Sequence, residues 1–260
     1  MTHSRAGAVA QPEPARPEPV TAGPPRPVRA ALLTMRWLDV TFLHWPLEPA
    51  VAAARMPPGT RPDLLDGLTY AGLVALRMHA VGPPGLPMPY LGSFPETNVR
   101  LYSVGPDGRR GVVFLTLDAA RLLPALTGRL GFRLGYHWSA MRVRRRGDEV
   151  GYASRRRWPG PAARLRMRIR IGERIAQPSA LEHFVTARWG LHAGWYAGST
   201  AYLPNEHPRW ELYRASLLGL SGNLLEAAGL PAPGGPPVSV LYSPGVPIRA
   251  GVPSQLVTGQ

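Results

Sequence analysis

Arg164-Leu165-Arg166-Met167-Arg168-Ile169-Arg170-Ile171 alternates a charged and an apolar side chain at every step. Successive side chains of an extended chain point to opposite faces, so the pattern predicts a β-strand with four arginines toward water and four apolar residues toward a core. The segment upstream fits the same scheme. Trp138 to Arg145 is followed by Arg146-Gly147-Asp148-Glu149 and a second run from Val150 to Arg155, which reads as a β-hairpin. Val112-Val113-Phe114-Leu115-Thr116-Leu117 is a further strand, and glycine and proline punctuate the chain at short intervals. Helices are few. Ser179-Ala180-Leu181-Glu182 has the capping-box spacing ahead of an apolar run to about Leu191. Less regular helical patterns cover Pro49 to Met56, Ala119 to Leu130 with Pro124 inside it, and Ser221 to Ala228. Many strands with a minority of short helices predict a mainly β (α+β) fold, a closed barrel or sandwich rather than a doubly wound sheet.

The chain has 260 residues, 45% of them apolar, which is enough for a substantial core. Residues 1–30 are rich in proline and alanine, a composition that predicts a disordered tail, with one folded domain over residues 31–258. The prolines also break any apolar stretch of signal-peptide length, and no segment reaches membrane-spanning length, so a soluble, cytoplasmic protein is expected. There is no cysteine, which excludes disulfides and thiolate chemistry.

The net charge is +14, and all 30 basic residues are arginine. Between Arg142 and Arg170 stand eleven arginines against Asp148 and Glu149, a local excess of nine positive charges. Such an excess raises nucleic acid or another polyanion as partner. The absence of lysine beside abundant Arg, Ala, Pro and Gly matches the codon bias of a GC-rich genome, and a solvated basic sheet face is the favoured expectation. No nucleotide-binding glycine loop, nucleophile elbow or paired-histidine zinc motif is present, so no cofactor and no metal are expected.

Three segments, Arg36-Trp37-Leu38-Asp39-Val40-Thr41-Phe42-Leu43-His44-Trp45-Pro46, Phe94-Pro95-Glu96-Thr97-Asn98-Val99-Arg100-Leu101-Tyr102 and Gly135-Tyr136-His137-Trp138-Ser139-Ala140-Met141, together resemble the YqjF-like family of uncharacterised bacterial proteins. The resemblance continues through Leu181-Glu182-His183-Phe184 to His207 and Trp210. That family is in turn similar to acetoacetate decarboxylases, which implies a β-cone, or closed antiparallel barrel, with a central, partly apolar pocket. In the decarboxylases a strand lysine forms a Schiff base with a β-keto acid. The comparable strand here carries Tyr136-His137-Trp138, and with no lysine anywhere that chemistry is excluded.

Even spacing along a strand puts Glu96, Asn98 and Arg100 on one face, offering an acid, an amide and a cation. Arg100 is suited to a substrate carboxylate and Glu96 to proton transfer, and the competing reading is a salt bridge closing a barrel end. His137 points opposite to Tyr136 on a strand, so only one of them can face the interior. A histidine there would suit acid/base work, and His44 is a similar candidate. Asp118 is a candidate at the pocket rim, with an N-cap of the following helix as the preferred role. The expected function is a small-molecule pocket: a lysine-independent enzyme acting on an oxo-acid-like ligand or, alternatively, a non-catalytic binding module or a polyanion binder through residues 142–170. Nothing in the sequence indicates an oligomeric state.

Overall fold

The structure, a computed structural model, describes residues 15–131 and 133–256. In chain order the elements are β1 (Ala31–Leu47), α1 (Pro49–Ala53), β2 (Arg61–Pro62), β3 (Thr69–Gly82), β4 (Phe94–Val104), β5 (Arg110–Ala119), α2 (Leu122–Gly131), β6 (Tyr136–Arg146), β7 (Glu149–Trp158), β8 (Arg164–Arg174), α3 (Ala180–Thr186), β9 (Gly190–Gly194), β10 (Thr200–Glu206), β11 (Tyr213–Gly222), α4 (Leu224–Ala227), β12 (Ser239–Gly251) and β13 (Ser254–Leu256). The arginine-alternating stretch is β8, with Leu165, Met167 and Ile169 buried and its arginines exposed.

All strands belong to one sheet that closes on itself twice. A large ring runs β5–β6–β7–β8–β11–β12–β1–β3–β4 and returns to β5. A smaller ring leaves β5 through β9 and β10 and rejoins at β12, where Asn205 and Glu206 pair with Ala250 and Arg249. The stretch β12–β1–β3–β4–β5 is common to both, and it separates two cores. Leu43, Leu73 and Leu101 pack on one side against Val150, Leu165, Met167 and Ile169. Val40, Phe42, Val74 and Tyr102 pack on the other against Phe184, Val185 and Trp210.

The sheet is mixed rather than purely antiparallel. Helix α2 carries the chain across from β5 to β6, and such a crossover delivers the next strand parallel, as Leu117↔Tyr136 and Asp118↔His137 show. Pro124 falls in the first turn of α2, where a missing N–H breaks no helical hydrogen bond. The capping box forms in full at α3, with Ser179 Oγ accepting from Glu182 N and Glu182 accepting from Ser179 N. This helix stops at Thr186, short of the expected Leu191, because Arg188 turns back and donates its Nε to the Phe184 carbonyl at 2.8 Å.

Composition predicted a disordered tail through residue 30, and from Ala15 onward the structure corrects this. Residues 15–30 form no helix or strand but lie strapped to the body. Glu18 N donates to Gly108 O at 2.9 Å, Val28 N to Glu206 at 2.8 Å, and Val28 is buried. Hydrogen bonds from the body, together with burial of Val28 and packing of Val20 on the core, hold a segment whose composition is otherwise poor in large apolar residues. Residues 1–14 lie outside the described residues.

The expected capping role of Asp118 is also corrected. Asp118 lies within β5 and its carboxylate ties three strands together. It accepts from Ser139 Oγ of β6 at 2.6 Å and from Arg156 of β7, whose Nη2 and Nε approach to 2.7 and 3.0 Å. The pair is almost wholly buried, and Thr116 Oγ1 accepts a further Arg156 proton at 2.7 Å. Removing one member of such a pair strands a charge in the core. We expect Asp118→Ala to cost about 3–5 kcal/mol in urea unfolding, and Asp118→Leu with Arg156→Met to recover most of it. A loss below about 1 kcal/mol for the single variant would show that this pair does not hold the ring closed.

Candidate functional site

A cavity of about 460 Å³ opens inside the smaller ring, under α2. Its wall is mostly apolar, with Trp37, Met78, Phe94, Phe114, Leu191 and Trp210 among the lining residues. Into this wall project Glu96, Arg100, Tyr136, Thr186, Arg188 and His207. A concave, largely apolar space with a few convergent polar groups is the usual form of a small-molecule site.

Glu96 and Arg100 both come from β4, on the face that Phe94 and Tyr102 share. Glu96 is buried and accepts from Tyr136 Oη at 3.0 Å and from Asn98 Nδ2 at 3.4 Å. Burial pushes its carboxyl up to about 7, with the Asp118 charge adding to the rise and the bonds from Tyr136 and Asn98 opposing it. Tyr136 is itself raised well above its ordinary value by burial and by Glu96. The two form a proton-holding pair on the cavity wall. Gly128 of α2 makes room for it, since a Cβ there would lie 2.4 Å from the Tyr136 ring.

Arg100 is 5% exposed and has no acidic partner among the described residues. Its Nη2 donates to the Val185 carbonyl at 3.0 Å, and its guanidinium carbon lies 5.5 Å from the Phe42 ring and 5.6 Å from the Tyr102 ring. Such contacts offset only part of the cost of burying a charge. Its Nε finds no acceptor. Arg188, from the turn after α3, is buried in the same wall, paired with Asp63, and its Nη2 also lacks a partner. His207 stands between Trp189 and Trp210, with centroids 4.5 and 4.8 Å away, and hydrogen-bonds through Nδ1 to Pro208 O at 2.7 Å. Burial lowers its pKa against the pull of the Pro208 and Arg188 carbonyls.

The remaining sequence candidates sit elsewhere. His137, on the opposite face of β6 from Tyr136, hydrogen-bonds through Nδ1 to Pro159 O at 2.5 Å and is not part of the cavity wall. Burial and the nearby Arg156 lower its pKa. His44 lies behind Arg100. Its Nε2 donates to Tyr102 Oη at 2.8 Å, and that hydroxyl donates onward to Val185 O at 3.0 Å. Burial first and then Arg100 lower His44 well below its usual value, so it is a neutral support for the Arg100 shelf. Asn98 buttresses Glu96, and Asp118 serves the ring-closing pair. Arg188 and His207 were not among the sequence candidates: the helical pattern predicted through Leu191 absorbed Arg188, and His207 stood isolated in the chain.

The sequence profile of DUF2071, a family of uncharacterized conserved proteins, matches residues 34–247. The chain belongs to the DUF2071 family. A curated relative of this DUF2071 protein is the uncharacterized protein YqjF of Bacillus subtilis (strain 168), 27% identical over 209 residues, covering 80% of this chain and 86% of the relative. Among solved structures, an acetoacetate decarboxylase-like enzyme from Sphingomonas wittichii RW1 superposes with a TM-score of 0.59 at 14% identity, over 89% of this chain and 96% of that one. The enduracididine biosynthesis enzyme MppR, complexed with pyruvate, gives 0.58 at 14% identity, over 87% and 90%. An acetoacetate decarboxylase gives 0.54 at 12% identity, over 91% of each chain. The DUF2071 chain therefore has the acetoacetate-decarboxylase-like fold. Among the described residues, no helix is long and apolar enough to cross a membrane.

The raised Glu96 carboxyl has a stability consequence of definite sign. The folded state keeps the proton up to about pH 7, whereas the unfolded chain releases it near 4.5. Stability from this group is therefore complete below about pH 4.5 and is lost as pH rises through 7, by on the order of 3 kcal/mol. We expect Glu96→Gln to gain on the wild type by up to that amount between about pH 5 and pH 8 in urea unfolding. A difference that does not change with pH would mean that Glu96 titrates as it does in water.

Proposed function

We propose that the cavity binds a small organic acid bearing an oxo group, with its carboxylate on Arg100 and a proton handled by Glu96 and Tyr136. The observation that carries this reading is the guanidinium of Arg100, a side chain that lines the cavity: it is buried, has no acid beside it among the described residues, and keeps an Nε without an acceptor. A planar guanidinium matches a carboxylate in two parallel hydrogen bonds, and a ligand anion would supply the missing countercharge. Arg188, paired with Asp63, adds a second buried guanidinium to the same wall. The similarity of fold to MppR complexed with pyruvate supports an oxo acid as the ligand class.

The chemistry suited to the site is general acid/base catalysis at the carbon next to the carbonyl. A carboxyl whose pKa lies near 7 is half ionised at neutral pH, the condition under which it can both take and return a proton. Tyr136 Oη donates to the carboxylate form and steadies it. Covalent activation through an iminium is closed to a chain without lysine. A non-catalytic binding module would need Arg100 and the apolar wall but no proton carrier.

Calorimetric titration with pyruvate, acetoacetate and longer aliphatic or aromatic 2-oxo acids tests binding. Proton NMR in D2O reads exchange at the carbon next to the carbonyl. Arg100→Gln is expected to weaken binding by about tenfold or more, from the loss of charge-assisted hydrogen bonds. Glu96→Gln is expected to leave affinity within about twofold and abolish exchange, while the wild-type exchange rate rises with pH to a plateau above about 7. Binding without exchange in the wild type would identify a binding module, and no binding by any of these acids would reject the reading.

A further inference from the structure

The arginines of β6, β7 and β8 play no part in the cavity. Arg156 turns inward to Asp118, half-exposed Arg145 reaches Asp39, and the others stand on the outer face. The strand register sorts them into rows. Arg144, Gly151, Arg168 and Gly219 lie side by side across β6, β7, β8 and β11, and Arg142, Ala153, Arg166 and Ser221 form the adjacent row. In the next row Arg155 sits directly opposite Arg164. An acid enters only at the hairpin end, where Glu149 stands between Arg146 and Arg170 and bonds Arg170 at 2.7 Å. Among the described residues Arg142, Arg144, Arg155, Arg164 and Arg166 have no acid within 4.0 Å, and Arg168 only just reaches Glu149 at that distance.

A sheet face that needed only to be wetted would gain by interleaving acids, because opposite charges across strands stabilise and like charges placed opposite do the reverse. This face concentrates one sign. Between its arginines it keeps small residues, and Gly151 has no packing reason to be glycine: a Cβ there would meet nothing closer than 3.9 Å. With no bulge in the register at Gly151, its missing side chain leaves the backbone open to close approach by a ligand. The result is a shallow, open trough of about 520 Å³ edged by Arg142, Arg144, Arg166 and Arg168. From the Arg144 row to the Arg155 row the stripe is about 14 Å long, four residues of strand. At its far end Arg157 covers the Trp138 ring at 4.7 Å, and Trp158, paired with Trp138 across the strands, is half exposed.

We propose that this face binds single-stranded nucleic acid, with the phosphodiester backbone lying in the trough between the arginine rows and bases stacking at Trp158. The stripe accommodates a run of several phosphates, and a half-exposed aromatic ring at the end of a basic track gives an unpaired base a surface on which to stack. The absence of lysine does not weaken this, since arginine both pairs with phosphate and stacks on bases.

Fluorescence anisotropy of a labelled oligothymidylate titrated with the full chain tests it, across a series of salt concentrations. Binding is expected to weaken with added salt with a log–log slope steeper than about −2, that is, three or more phosphate contacts. Arg144→Gln with Arg166→Gln should weaken binding by about tenfold or more and flatten the slope, without lowering the melting temperature at low salt, because like charges are being removed. Trp158→Ala should weaken it by about fivefold or more. Arg29→Gln with Arg209→Gln removes the same charge from exposed positions off this face and should change affinity less than about twofold. Equal weakening by the two double variants, tighter binding to a duplex of the same sequence, or no binding at low salt would each overturn the proposal.

Discussion

Where the five neighbouring strands β12, β1, β3, β4 and β5 run through the middle of the molecule they have a core on each side, and this local lack of a wet face governs the rest of the molecule. Everything polar placed on them must be satisfied from within, since an unpaired buried group costs more than a hydrogen bond returns. The chain meets that demand with relays. His44 passes a hydrogen bond to Tyr102 and Tyr102 to the Val185 carbonyl, while Asp118 collects Ser139 and Arg156. The demand is not met everywhere: among the described residues His44 Nδ1, Thr69 Oγ1, Asn98 Oδ1 and Ser239 Oγ lack partners within the packed strands, and so does the Nε of Arg100, whose side chain lines the cavity.

Period-two patterning is clearest where one face is wet and the other dry, which is why β8 and the β6–β7 hairpin were legible from residues alone. The shared strands read differently. On β4 the residues from Glu96 to Val104 are all buried, so no polarity contrast tells one side from the other. The family resemblance supplied the β-cone there, and even spacing supplied the common face of Glu96, Asn98 and Arg100. The second closure of the sheet was not visible, because it depends on short contacts of β9 and β10 that leave no periodic trace.

The site was partly legible for a related reason. Spacing could show that Tyr136 and His137 point opposite ways, but which of them faces the cavity is decided by the parallel register of β6 on β5. Asp118 looked like a cap because a helical pattern follows it. The strand runs one residue past it, and Arg156, thirty-eight positions on, claims its carboxylate. Arg188 owes its place to the early end of α3, an effect of its own side chain on the Phe184 carbonyl.

The double burial of β4 also bears on how such a protein can change over generations. Arg100 faces the cavity while its neighbours Val99 and Leu101 fill the core of the large ring. A methyl gained or lost at either neighbour moves the same backbone that aims the guanidinium. Drift in a core with no contact to any ligand is then felt as altered specificity, so the two sides of this strand are inherited as one unit.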